Sequence, residues 1–180
     1  MEKILFVDRD GTLVKPLTGG NFILYPRDQQ PIAGAQEAIA RYAKTHIIYG
    51  ISNQAGIAAG HKCVDSVLSE MQYTLNLFPQ IQSMLFCPDF EGFECWEATR
   101  GGGSRIFFLD ETREVCEDLP PFRKPSHGMV QLVFYREIAV NLRHISYEDC
   151  LFVGDRPEDA ECAQNAGINF MWAKDWREGG

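Results

Sequence analysis

No apolar run in this 180-residue chain is long enough to cross a bilayer, and nothing at its start looks like a secretory leader. Met1-Glu2-Lys3 passes straight into a strand-like stretch. Positive charge is scarce: 17 Lys and Arg stand against 25 Asp and Glu, for a net charge of −8. That balance counts against a dedicated binder of nucleic acid. Internal repeats are absent, and Gly101-Gly102-Gly103 is the one low-complexity tract. The six cysteines, Cys63, Cys87, Cys95, Cys116, Cys150 and Cys162, are dispersed through a chain that is 45% hydrophobic. Such a chain can build a core without disulfides, so the expectation is a reduced, cytoplasmic protein with free thiols and no membrane contact. The length suits one domain spanning 1–180.

What is present is organised around Asp8-Arg9-Asp10-Gly11-Thr12. The preceding run, Lys3 to Val7, is apolar and branched, as in a strand buried on both faces, and it ends abruptly at a carboxylate. Two carboxylates two residues apart can divide labour between nucleophile or metal ligand and proton transfer. A calcium loop also begins Asp-x-Asp. It needs an oxygen ligand, a glycine and a glutamate where this chain has Thr12, Leu13 and Gly19, which excludes it.

Further strands are expected at 46–52, 83–87, 150–153 and 169–172, with a strand-like run at 105–109. Helices are expected at about 33–44, 64–78, 125–142 and 157–166. Gly19-Gly20 suggests a small hairpin pairing Val14 with the run Phe22 to Tyr25. Residues 88–122 read as an irregular insertion loop and a candidate specificity element. The tail with Trp176 reads as peripheral. Alternating strands and helices predict an α/β fold, a three-layer Rossmann-like parallel sheet with helices on both faces and no large cap domain. Ligands of such sheets bind beyond the carboxyl ends of the strands, where Asp8, Ser52 and Asp155 fall.

Four stretches in order now carry a resemblance: Asp8-x-Asp10-Gly11-Thr12, Ser52-Asn53-Gln54, Arg123-Lys124-Pro125 and Gly154-Asp155-Arg156-x-x-Asp159. They resemble the motifs of the haloacid dehalogenase (HAD) superfamily, in the wording of its histidinol-phosphate and heptose-bisphosphate phosphatases. The resemblance implies a Mg²⁺-dependent phosphatase acting on a small phosphomonoester through an aspartyl-phosphate. Asp8 would be the nucleophile, Asp10 the acid–base, and Lys124 the neutralising cation. Asp8, Asp155 and the main-chain carbonyl of Asp10 would hold Mg²⁺ with hard oxygen donors. Ser52 and Asn53 would bind the phosphoryl group. Arg123 and Arg156 suit planar contacts to substrate. Thr12 would orient Asp10, and Asp159 would stand behind the metal ligands.

The subgroup often carries a Cys-x-His and Cys-x-Cys zinc loop. Here Asp89 replaces the histidine, and Cys87, Cys95 and Cys116 are its companions, a set that zinc can accept. Without zinc, Phe90, Phe93, Trp96, Phe107 and Phe108 could pack the loop down. A DNA 3′-phosphatase is the alternative reading, disfavoured by the acidic balance. A catalytically silent binding module is disfavoured by the retention of Asp8, Asp10, Lys124 and Asp155.

Overall fold

The structure is a computed structural model that describes residues 1–108 and 119–179, apart from the Phe108 side chain. Its centre is β1 (Lys3–Val7), flanked on both sides by parallel strands, β4 (His46–Asn53) and β8 (Leu151–Gly154). Leu5 and Val7 feed one hydrophobic cluster, and Ile4 and Phe6 feed the other on the opposite face. The apolar run is unbroken because neither face of this strand meets water.

Beyond β4 lies β5 (Ile81–Cys87), and beyond β8 lies β9 (Asn169–Trp172), both parallel to their neighbours. Helices α1 (Ala35–Tyr42), α2 (Val64–Leu77) and α5 (Ala173–Glu178) cover one face through Ile39, Met71, Leu75 and Trp176. Helices α3 (Gly128–Tyr135) and α4 (Pro157–Ala166) cover the other through Val130, Val133, Phe134 and Ala163. This is the expected three-layer fold, with no large cap. The chain steps outward from β1 to β4 and β5, then returns to β8 on the opposite side of β1. Strand order therefore reverses at β1, which opens a crevice at its carboxyl end.

Three expectations change. The stretch 88–122 is not irregular throughout. Strands β6 (Glu94–Thr99) and β7 (Gly102–Phe108) form an antiparallel hairpin that extends the sheet past β5. The remainder of the run to Leu109 and the segment 110–118, with Cys116, lie outside the described residues. Val14 pairs not with Phe22 to Tyr25 but with Pro31, through β2 (Val14–Lys15) and β3 (Gln30–Pro31). Phe22 and Leu24 face solvent, while the buried carboxylate of Asp28 gathers Thr18 and the Leu24 amide to close the intervening loop. The tail is not peripheral either. Trp176 is fully buried beside Tyr42. Among the described residues no helix is long and apolar enough to cross a membrane.

Candidate active site

Strand register brings the motifs together. Val7 pairs with Gly50 and with Val153, so the residues that follow, Asp8, Ile51-Ser52 and Gly154-Asp155, meet at one edge. The Asp8 amide donates to Val153 O at 2.9 Å, which continues the ladder by one residue. Gly11 turns the chain with φ +85°, and a Cβ there would run into the Asp155 carboxylate. A Cβ at Gly154 would likewise collide with the carboxylate of Asp159. These two glycines let the acidic side chains approach the backbone.

Lys124 arrives from the turn before α3, and its side chain is buried. Its Nζ donates to Asp8 Oδ1 at 2.6 Å, to Asp159 Oδ1 at 2.6 Å and to Ile51 O at 3.3 Å. All three protons of the ammonium group thus have acceptors. Burial alone would lower the Lys124 pKa. The charges of Asp8 and Asp159 more than reverse this, so it stays protonated well above the ordinary lysine value. Burial raises Asp8 to about 7, with the Asp159 and Asp10 charges adding to the rise and Lys124 opposing it. Burial, then the charge of Asp159, also raises Asp155.

Asp8, Asp155 and Asp159 each offer an oxygen, all within 4.8 Å of one another, the group among the described residues suited to hold a metal ion. Three hard carboxylates fit Mg²⁺. Asp159 has both oxygens engaged, Oδ1 by Lys124 and Oδ2 by the Arg156 amide at 3.1 Å. Capping of α4 thereby also fixes the Lys124 partner.

The Asp10 carboxylate is held from two sides. Gln54 Nε2 donates to Asp10 Oδ2 at 2.8 Å and also lies 2.8 Å from Ser52 Oγ. Arg9 Nη1 lies 3.4 Å from Asp10 Oδ1. Thr12 does not take the orienting role expected of it: its hydroxyl is buried without a hydrogen-bond partner. Gln54 and Arg9 stand inside the motifs, but nothing in a sequence shows that a charged arginine between two aspartates is fully buried.

The Asn53 side chain is engaged within the protein. Its carboxamide donates to Lys124 O and accepts from Lys124 N, both at 3.0 Å, locking the second motif to the third. Arg123 is half-buried, its guanidinium 5.9 Å from the Phe90 ring and Nη1 without a partner. Arg156 is exposed and lies 3.6 Å from Glu158. Missed altogether was Arg177 of α5, whose Nη1 donates to Gly11 O at 3.2 Å and Thr12 O at 2.9 Å.

The zinc expectation meets a different arrangement. The Asp89 carboxylate accepts from the amides of Gly92, Phe93 and Glu94, the last two at 2.9 and 2.8 Å. It orders the turn into β6 by itself. Cys87 and Cys95 are buried thiols, and burial pushes Cys87 up to about 12 and raises Cys95 as well. With Asp89 they do not form a metal-holding group among the described residues. Of the aromatic residues, Trp96 stacks on Phe86 and Phe107 packs edge-on to Phe122, whereas Phe90 is exposed.

This crevice, with its paired aspartates, buried lysine and second acidic pair at the switch point of a parallel sheet, defines a class of hydrolase. The chain belongs to the HAD superfamily and is a phosphatase of that superfamily. A family model described as HAD-hydrolase-like matches residues 121–175. The chain is 31% identical over 182 aligned residues to D-glycero-D-manno-heptose-1,7-bisphosphate 7-phosphatase of Chlorobaculum tepidum, covering 94% of this chain and 77% of that protein. It is 28% identical to the histidine biosynthesis bifunctional protein HisB of Legionella pneumophila, covering 95% of this chain and 41% of that longer one. In fold it is similar to D,D-heptose 1,7-bisphosphate phosphatase from B. bronchiseptica, solved with magnesium and phosphate, with TM-score 0.63 and 20% identity over 99% of this chain and 87% of that one.

Proposed function

We propose that the chain is a Mg²⁺-dependent phosphatase of small phosphomonoesters, with a sugar phosphate or sugar bisphosphate as its first substrate class. The observation that carries this is the 2.6 Å contact of the buried Lys124 ammonium with Asp8, at the edge where strand order reverses. A phosphomonoester dianion repels a carboxylate nucleophile, and a buried cation beside that carboxylate lowers the repulsion. Asp8, Asp155 and the main-chain carbonyl of Asp10 would hold Mg²⁺. When bound, it supplies further positive charge for the phosphoryl oxygens.

In the first half-reaction an Asp8 carboxylate oxygen bonds to phosphorus as the bond to the leaving oxygen breaks. Asp10 gives that oxygen its proton. In the second, water attacks the phosphorus of the aspartyl-phosphate and Asp10 takes the water proton. The bond to Asp8 breaks, releasing inorganic phosphate and restoring the Asp8 carboxylate and the protonated Asp10. Ser52 Oγ and the Asn53 main-chain N–H donate to the phosphoryl oxygens. Lys124 offsets the charge spread over them. Arg123 and Arg156 reach outward to the rest of the substrate. Two arginines near one crevice favour a substrate with a second anionic or hydroxyl-rich group. Names of relatives at 31% and 28% identity support the sugar bisphosphate and histidinol-phosphate classes. Such metabolites, and the thiol content, agree with a cytoplasmic setting.

The experiment is turnover on a panel of a sugar bisphosphate, sugar monophosphates, histidinol phosphate and a 3′-phosphorylated oligonucleotide, with and without Mg²⁺, at low and moderate salt. The expected result is Mg²⁺-dependent turnover with the highest kcat/KM on a small metabolite, and loss of turnover in Asp8→Asn. Preference for the oligonucleotide at moderate salt would replace this reading with end repair of DNA. Such binding would also weaken steeply with salt.

A further inference from the structure

Arg9 is a fully buried charge that the proposed reaction leaves without a task. It sits between the two aspartates of the first motif and is 0% exposed. Its guanidinium is spread over three neighbours. Nε donates to Thr74 Oγ1 at 3.1 Å and Nη2 to Glu70 Oε2 at 3.3 Å, both on α2. Nη1 makes no hydrogen bond and lies 3.4 Å from Asp10 Oδ1. Glu70, itself fully buried, is backed by Lys62, whose Nζ lies 2.7 and 2.8 Å from its two oxygens. Thr74 in turn donates to Gln29 Oε1 at 2.6 Å, and the Gln29 carboxamide donates to Glu70 O at 3.0 Å. Charges alternate from Asp10 through Arg9 and Glu70 to Lys62, so the chain of ions is neutral overall.

A pairing of β1 with α2 alone would be met by Arg9 and Glu70. It would not require a third guanidinium nitrogen within 3.4 Å of an Asp10 oxygen. The opposite oxygen of the same carboxylate is held by Gln54 at 2.8 Å.

We infer that Arg9 is a positioning residue for Asp10: its guanidinium, locked by Glu70 and Thr74 on α2, attracts Oδ1 by charge while Gln54 holds Oδ2 by a hydrogen bond, and the two fix the carboxylate where a proton must be delivered. This rests on the reading of Asp10 as the acid–base residue. Misplacement matters most where proton delivery limits the rate. An alkoxide leaves only as it is protonated, whereas p-nitrophenolate leaves without help. A loosened Asp10 therefore slows alkyl phosphates selectively. The phosphoryl grip of Ser52 and Lys124 is untouched, and kcat/KM reports the first half-reaction apart from the water attack that both substrates share.

The test is steady-state kinetics with Mg²⁺ on an alkyl phosphomonoester and on p-nitrophenyl phosphate, for Arg9→Lys, Thr74→Val and Asp10→Asn. Lysine keeps the charge but cannot serve Glu70 and Asp10 with one planar fork. Arg9→Lys is expected to lose about 10²-fold in kcat/KM on the alkyl substrate. On p-nitrophenyl phosphate its loss in kcat/KM is about threefold or less, whereas kcat on both substrates also reports the shared hydrolysis of the aspartyl-phosphate and is not the discriminating readout. Thr74→Val removes the Nε anchor while keeping shape and charge, and is expected to show the same selectivity at about tenfold. It carries the test if Arg9→Lys does not fold. Equal losses on both substrates, or none in folded protein, would overturn the inference while Asp10→Asn remains leaving-group selective. If Asp10→Asn is itself unselective, the acid–base reading fails and the inference falls with it.

Discussion

Replacing Lys124 by methionine isolates the contribution of one buried cation. The side chain keeps most of its volume, but Asp8 and Asp159 each lose a charge-assisted bond of 2.6 Å. Removing one partner from a buried ion pair costs about 3–5 kcal/mol, because the other is left charged and desolvated. With a urea slope of about 2 kcal/mol per M, the metal-free variant should unfold about 2 M earlier at pH 8. The deficit should shrink on acidification. Asp8 in the folded protein titrates at about 7 against an ordinary 3.8. A group raised in this way contributes stability in its protonated form, fully present below the unfolded value and lost as pH rises through the folded one. Without Lys124 opposing it, Asp8 moves higher still. At pH 5 it carries a proton and needs no partner. Added Mg²⁺ should restore part of the stability at pH 8 by supplying charge among the carboxylates. It should not restore kcat, which is expected to fall by about 10²–10³ for loss of a donor aimed at developing charge. Urea unfolding followed by fluorescence at pH 5 and 8, without metal and with Mg²⁺, reads all of this. A metal-free variant whose midpoint at pH 8 lies within about 0.3 M of the parent would refute the reasoning.

Trp176→Ala should destabilise by about 3–5 kcal/mol, since it empties a fully buried indole site, and urea unfolding would measure it. Asp89→Ala should free the amides of Gly92, Phe93 and Glu94, seen as faster hydrogen exchange confined to that turn. Iodoacetamide at pH 8 should label exposed Cys63 in the native protein but spare Cys87, Cys95, Cys150 and Cys162, whose burial raises their pKa values; peptide mass spectrometry gives the site.

The sheet's parallel strands and both flanking layers were legible because each element carries a one-dimensional signal. Helix α4 starts at Pro157 and stops at Gly167, whose φ of 69° a side chain would resist, and its bounds matched the reading. The convergence of Asp8, Ser52 and Asp155 followed from strand ends alone, whereas Lys124, which follows no strand, was placed beside them by its motif. The hairpin of β6 and β7 was hidden because Gly102-Gly103-Ser104 has little preference for extended backbone and is held in the sheet by pairing with Thr99, Ala98 and Glu97. Helix α5 spans only Ala173–Glu178, too short for a periodic stripe, so the burial of Trp176 could not be seen. Thr12 was given a task by its place in the motif. The side chains that hold Asp10, Gln54 and Arg9, are oriented by partners on other elements, and tertiary contact leaves no mark in local spacing.

Arg177 sets a condition on the order of events as the chain is made. Asp8 is synthesised well before the residues that surround it, and the carbonyls of Gly11 and Thr12 just after it are held by a guanidinium 166 and 165 residues further on. Lys124 and Asp159, which meet Asp8 across the crevice, also come late. A growing chain cannot fix the turn beside Asp8 until residues 173–178 have left the ribosome and docked. The order of synthesis thus sets the order in which the crevice is completed, with α5 closing it after the strands are in place.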